Sequence, residues 1–186
     1  MLRLNCLSFI LFVLFPVWFS FAATAVSTGQ STVVRRAQYC MNYLGVVAGS
    51  KVPTDAQGPI YPLPQLFNIV WCIKDTETYL ILNPGTPLPS NTVVTILKGA
   101  ERAVTEWIAS RGDGMLQNGR FTWYGRAQSR IVFQVQNANN HQVMYGVLLT
   151  ALTGMETYMW RLGYGCVDFK LYDGWNQVGQ GSLAYG

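Results

Sequence analysis

Histidine is almost missing: the 186 residues hold one, His141. A single histidine excludes two-histidine ribonuclease chemistry and a histidine-rich zinc centre. No H-E-x-x-H, G-x-S-x-G or Walker sequence occurs, the cysteines are far from a C-x-x-C spacing, and there is no N-x-S/T sequon. No cofactor and no metal is therefore expected. Charge is sparse as well, at 12% of residues. The formal charge is +4; Arg3, Arg35 and Arg36 supply three of those charges, which leaves +1 for the rest. A nearly neutral body offers no electrostatic reason to bind nucleic acid or an anionic membrane.

Only four cysteines are present, and the first, Cys6, sits in MLRLNCLSFILFVLFPVWFSFAATA. That segment has one charge, an unbroken apolar run and a small-residue exit, which makes residues 1–25 a secretory signal peptide cut after Ala25; an uncleaved signal anchor is the alternative. The next residues, VSTGQSTVVRR, are polar and without period, and end in the pair Arg35-Arg36. They are expected to form a pro-segment removed after Arg36, against the plainer reading of an exposed basic pair in a loose terminus. Cys40, Cys72 and Cys166 remain. They allow one disulfide and one free thiol, or an intermolecular bridge, as suits an exported chain.

The stretch HQVMYGVLLTALTGMETYMW, His141 to Trp160, could be mistaken for a membrane span. Glu156, Gly146, Gly154 and several Thr and Gln positions interrupt it, and Arg161 follows. A span needs about 20 predominantly apolar residues. Val143, Val147, Leu148, Ala151, Met155, Tyr158 and Leu162 recur at helical spacing, so the expectation is a helix buried over most of its circumference. Asn139 or Asn140 is placed to cap its start, and Gly163 to end it.

An earlier helical pattern, Thr92 to Gly112, exposes Lys98, Glu101, Arg102 and Glu106. Shifted by 51 positions it aligns with the later helix: Ile96 with Val147, Ala100 with Ala151, Ala103 with Gly154, Trp107 with Tyr158, Gly112 with Gly163. Each is followed by strand-like residues, which points to an internal helix-hairpin duplication. Gly99 and Ala103, with Thr150 and Gly154, are expected to let the two helix backbones approach closely.

Strands are expected at Phe121–Tyr124, Arg130–Gln136, Cys166–Tyr172 and Gln180–Tyr185, with a looser pair at Ile69–Lys74 and Tyr79–Leu82. One face of each alternating strand is apolar. Residues 37–186 then form a single α+β domain, a two-layer sandwich with two helices on one face of an antiparallel sheet. Cys72 and Cys166 fall on the side away from the helices, which makes them one candidate pair; Cys40 with Cys72 is the other. The runs AGSKVPTDAQGPIYPLPQL and NPGTPLPSN are expected to be ordered surface loops, the first packing through Ile60, Tyr61 and Leu63.

Candidate chemistry is thin. His141 at a helix start could serve as a neutral base with Glu156 or Asp168, although a capping-region side chain explains it more simply. Asp168 and Asp173, near Tyr164, Tyr172 and Trp175, suggest sugar binding or acid-base hydrolysis, although Asp173-Gly174 is also an ordinary turn. The hairpin RFTWYGRAQSR gathers Arg120, Trp123, Tyr124, Arg126 and Arg130, the composition of an interface hot spot, and is the favoured contact surface. Arg111-Gly112-Asp113 spells an integrin-type tripeptide and is taken as a helix stop.

The segment YGCVDFKLYDGWNQVGQG, Tyr164 to Gly181, resembles the Tyr-Gly-x-Cys-x-Phe and Val-Gly-x-x segments of a fungal necrosis-inducing effector family related to killer toxins. The family's other cysteines do not appear here. As a class, a small exported chain with few cysteines and a dibasic processing pair resembles the small secreted effector-type proteins of filamentous fungi. That resemblance implies a non-enzymatic secreted protein contributing to virulence by binding a host or microbial protein or glycan. The alternative is an extracellular carbohydrate-binding or carbohydrate-hydrolysing protein. Amino-terminal sequencing of the secreted form should begin at Ala37; a start at Val26 would remove the pro-segment.

Overall fold

Alternating apolar residues and two helical repeats become eight elements in the computed structural model, which describes residues 37–58, 68–125 and 130–186. The expected signal peptide with Ala25, the pro-segment ending at Arg36, the loop residues Ile60, Tyr61 and Leu63, and Arg126 lie outside the described residues. The elements are β1 (Ile69–Cys72), β2 (Thr78–Pro87), α1 (Ser90–Arg111), β3 (Arg120–Tyr124), β4 (Ile131–Asn137), α2 (Tyr145–Leu162), β5 (Gly165–Asp173) and β6 (Asn176–Tyr185). The strands make one antiparallel sheet in the order β1-β2-β5-β6-β4-β3. On one face α1 lies over β3 and β4, and α2 over β1, β2 and β5. The architecture is an α+β two-layer sandwich.

Burial follows the periodicity. In α1, Val93, Ile96, Leu97, Ala100 and Val104 face the sheet, while α2 buries eight positions. Leu80, Phe133, Leu171 and Leu183 meet them from the sheet. No described helix is long and apolar enough to cross a membrane. Each helix is followed by a hairpin, β3-β4 or β5-β6, and the order β3-β4-β6-β5 is what a two-fold across the β4–β6 pair would produce. The two helix ends correspond as well: Gly112 and Gly163, both at positive φ, donate their N–H groups to Ile108 and Met159.

Three local expectations need correction. First, α2 starts at Tyr145, not beside Asn139 or Asn140, which occupy a turn at positive φ. The chain before it is kept extended because Leu116 and Met115 pair with Val143 and Met144. Second, the space at Gly99 and Gly154 is filled from the sheet layer and not by the backbone of the other helix. A Cβ at Gly99 would lie 2.6 Å from Nε1 of Trp123, and one at Gly154 2.5 Å from Ile73, so each glycine makes room for a side chain from the sheet layer. Third, NPGTPLPSN is not all loop, because β2 runs on through Pro87. β1 pairs with β2 only as far as Leu82, so among the described residues the outer edge of the later positions has no strand partner, a setting in which proline is tolerated.

The other face of the sheet is covered over one half. Residues 37–58 carry Cys40, Ala48 and Val52 onto Val70, Cys72, Tyr79 and Ile81, a second buried apolar cluster. A Cys40–Cys72 disulfide ties this cover to β1. Cys166 is free, and the reason is topological. Cys72 lies opposite Tyr79, which lies opposite Tyr172, so Cys166 is both two strands away and six residues along β5. Two strand spacings alone are about 9.5 Å, beyond the Cα separation of about 7 Å that a disulfide tolerates. The same segment closes the outer edge of β1. Met41 N–H donates to Val70 at 2.8 Å, and the buried Asn42 amide donates to the Cys72 carbonyl at 2.7 Å while accepting from its N–H at 2.9 Å.

Replacing Cys40 and Cys72 together by Ser should lower unfolding free energy by roughly 3–4 kcal/mol, the loop-closure value for a 32-residue separation. Urea titration with and without reductant checks it; a difference under about 1 kcal/mol would mean the cover is held by packing alone.

Candidate functional site

The half of the outer face that none of the described residues covers belongs to β5, β6, β4 and β3, with the end of β2. Strand pairing sets its polar side chains in two rows. The first runs Asn83, Asp168, Ser182, Gln134, Thr122; the second runs Lys170, Gln180, Gln136, Arg120. Together they line a shallow concavity of about 310 Å³, to which Thr122 does not contribute. Beyond the first row, Ala184, Val132 and Tyr124 form an apolar margin.

Neighbouring hydrogen bonds orient several of these groups. Asn68 N–H donates to Asn83 Oδ1 at 2.9 Å, which leaves the Asn83 amide nitrogen available as a donor. Gln134 Nε2 donates to Ser182 Oγ at 3.1 Å, and Arg120 Nη2 to Gln136 Oε1 at 3.3 Å. The ion pairs among the described residues are those of Lys98, so Arg120, Lys170 and Asp168 have no charged partner there. The floor depends on Gly181. A side chain there would strike the Phe169 ring and the Gln134 carbonyl, and Phe169 stacks at 5.9 Å on Phe133 across β6.

The hairpin residues singled out from sequence divide between the two faces. Arg120 and Tyr124 belong to the open face, while Trp123 points to the helices and rests on Gly99. Arg130 is exposed just before β4, where its carbonyl accepts from Gly186. The amides, Lys170 and Ser182 were missed. For Gln134, Gln136, Gln180 and Ser182 the signal was present in RIVFQVQ and VGQGS, where the polar positions carry amides or a hydroxyl, but only cross-strand register shows that they share a site.

Other candidates are placed apart. Asp168 and Asp173 are five residues apart on one strand, about 16 Å, whereas two-carboxylate hydrolysis needs about 5–10 Å. Asp173 accepts from Thr78 Oγ1 at 3.1 Å, and Trp175, 58% exposed, lies in the β5–β6 turn beside Gly49 of the cover. His141 is exposed four residues before α2, outside the first helical turn where the dipole is concentrated, and Glu156 is engaged by Lys98. Among the described residues no group of three His, Cys, Asp or Glu side chains could hold a metal ion.

The tripeptide Arg111-Gly112-Asp113 is occupied structurally. Arg111 stacks over Trp107 at 4.1 Å, Gly112 ends α1, and Asp113 Oδ1 accepts from Gly146 N–H at 2.9 Å in the first turn of α2. The carboxylate thereby supplies the cap that Met144 lacks.

A second concavity of about 330 Å³ lies between the helices, walled by Val94, Leu97, Tyr164 and the 74% exposed Trp160. At its edge Lys98 Nζ lies 2.7 Å from both Glu101 and Glu156. Hydrogen bonds to Glu101 and then Glu156 hold the Lys98 ammonium above its ordinary pKa. Burial raises the Tyr158 phenol.

Compared with protein-family models, curated proteins and solved structures, the chain matches none of them.

Asp113→Ala should lower stability by about 1 kcal/mol, as for loss of a helix cap. A thermal melt followed by circular dichroism tests this; an unchanged midpoint would show the carboxylate idle.

Proposed function

We propose that this protein is an exported, non-enzymatic binding protein that contacts a host or competitor target through the uncovered half of its sheet, as an effector-type protein would. The observation that carries this reading is the division of the outer face. One half is sealed by a disulfide-held segment, and the other presents a concave array of side chains from five strands.

A sheet face that merely meets solvent is an ordinary feature of antiparallel proteins. This one differs in composition: four of the eight polar side chains lining the concavity are carboxamides, and three are charged. Carboxamides offer a donor and an acceptor each, which favours directional recognition over general hydration. The disulfide fits an oxidising compartment, as the expected signal peptide does. Virulence is the biological setting that the class resemblance implies.

The test uses purified protein infiltrated into leaf tissue and added to cultures of competing microbes. Wild type and an α1-surface control, Arg102→Trp, should provoke a response in one of these. Gln134→Trp and Gln180→Trp, exposed strand positions that accept an aromatic residue, should lose it while keeping the wild-type melting profile. A wild type inert in both assays, or open-face variants as active as wild type, would sink the proposal.

A further inference from the structure

We infer that the occupant of the open sheet face is an acidic oligosaccharide, a chain of uronate residues lying across β5, β6, β4 and β3. This inference rests on the preceding reading of that face as the contact surface. It is carried by charge and spacing in the second polar row, Lys170-Gln180-Gln136-Arg120.

The two ends of that row are cations without a carboxylate partner among the described residues, and the middle is two carboxamides. Arg120 and Lys170 are three strand spacings apart, about 14 Å. Arg120 is already turned by Gln136 Oε1, and its planar fork suits a carboxylate. The carboxamides between, with Ser182 and the Asn83 amide in the first row, complement ring hydroxyls. Asp168 can only accept, so it too would take a hydroxyl proton.

Other occupants fit less well. A neutral sugar would gain most from an aromatic platform, yet the one aromatic side chain of the lining, Phe169, belongs to the helix-facing core. Nucleic acid draws its affinity chiefly from many phosphate contacts, and two cations about 14 Å apart supply few of them. A peptide bound by a sheet draws its affinity from main-chain bonds at a free edge. Here β5, β6 and β4 are paired on both sides along the concavity, and the edge strand β3 contributes only Arg120 to it. Charge-assisted bonds at the ends and neutral bonds between them suit a hydroxyl-rich chain in which carboxylates several sugars apart meet the two cations.

Isothermal titration of the whole secreted protein tests this with four probes: a galacturonate decamer, its methyl ester, cellohexaose and a ten-residue polyglutamate. The galacturonate decamer should bind best, weaken with salt, and lose about tenfold or more on esterification, as expected for loss of charged hydrogen bonds. Arg120→Gln and Lys170→Gln should each weaken it about tenfold, whereas Arg102→Gln on α1 should not.

Equal binding of acid and ester, or equal effects of Arg120→Gln and Arg102→Gln, would overturn the inference. Tighter binding of polyglutamate would replace the glycan by an acidic polypeptide. If no galacturonate binds while Gln134→Trp and Gln180→Trp still abolish the target-cell response, the glycan assignment falls and the contact surface stands. If those variants also leave the response intact, both fall.

Discussion

The outer face of β1 and β2 cannot be left to water, because Val70, Cys72, Tyr79 and Ile81 all point that way. A sheet with helices on one side alone would expose this patch and the unpaired edge of β1. The disulfide-tied segment answers both needs at once: its apolar side chains cover the patch, and Met41 and Asn42 hydrogen-bond to the edge. Its reach also decides where the cover stops. Past Ile81 the outer face turns polar, and from Asn83 through Asp168, Ser182 and Gln134 the described residues leave the surface open.

The open half is shaped by what lies beneath it. Phe133 and Phe169 stack across β6, and the position between them has no side chain. That packing lets three neighbouring strands stay paired in register while large aromatic rings fill the helix-facing core. The polar rows on the other face follow, since a one-residue slip of any strand would turn its amides inward. The same coupling explains why Trp123, half-buried, packs against the core although it stands among arginines in sequence. Its parity on β3 sets it opposite Phe133, and Gly99 on α1 leaves the space it needs.

Much of the fold was legible because it depends on local patterns: alternation in β4 and β5, helical spacing in α1 and α2, glycines after both helices. The helix-hairpin order is seen twice for the same reason. The α2 start was misplaced because the competing signal is tertiary: Val143 and Met144 are held extended by Leu116 and Met115, and the cap comes from Asp113, 33 residues earlier. The candidate site was barely legible. Arg120, Tyr124 and Asp168 were named, but each for a neighbourhood that its own hairpin would supply, and the amides drew no notice.

Composition and periodicity by themselves determined that this chain builds an antiparallel sheet with two helices on one face, since each strand and helix writes its own burial pattern into consecutive residues. They also put forward two candidate pairs for an internal disulfide without deciding between them. Tertiary structure decided the rest: Cys40 with Cys72, because Cys166 lies two strands and six residues out of reach, and the polar rows, because cross-strand neighbours are 10 to 85 residues apart in sequence. Register is a property of strand pairs, and no single strand carries it.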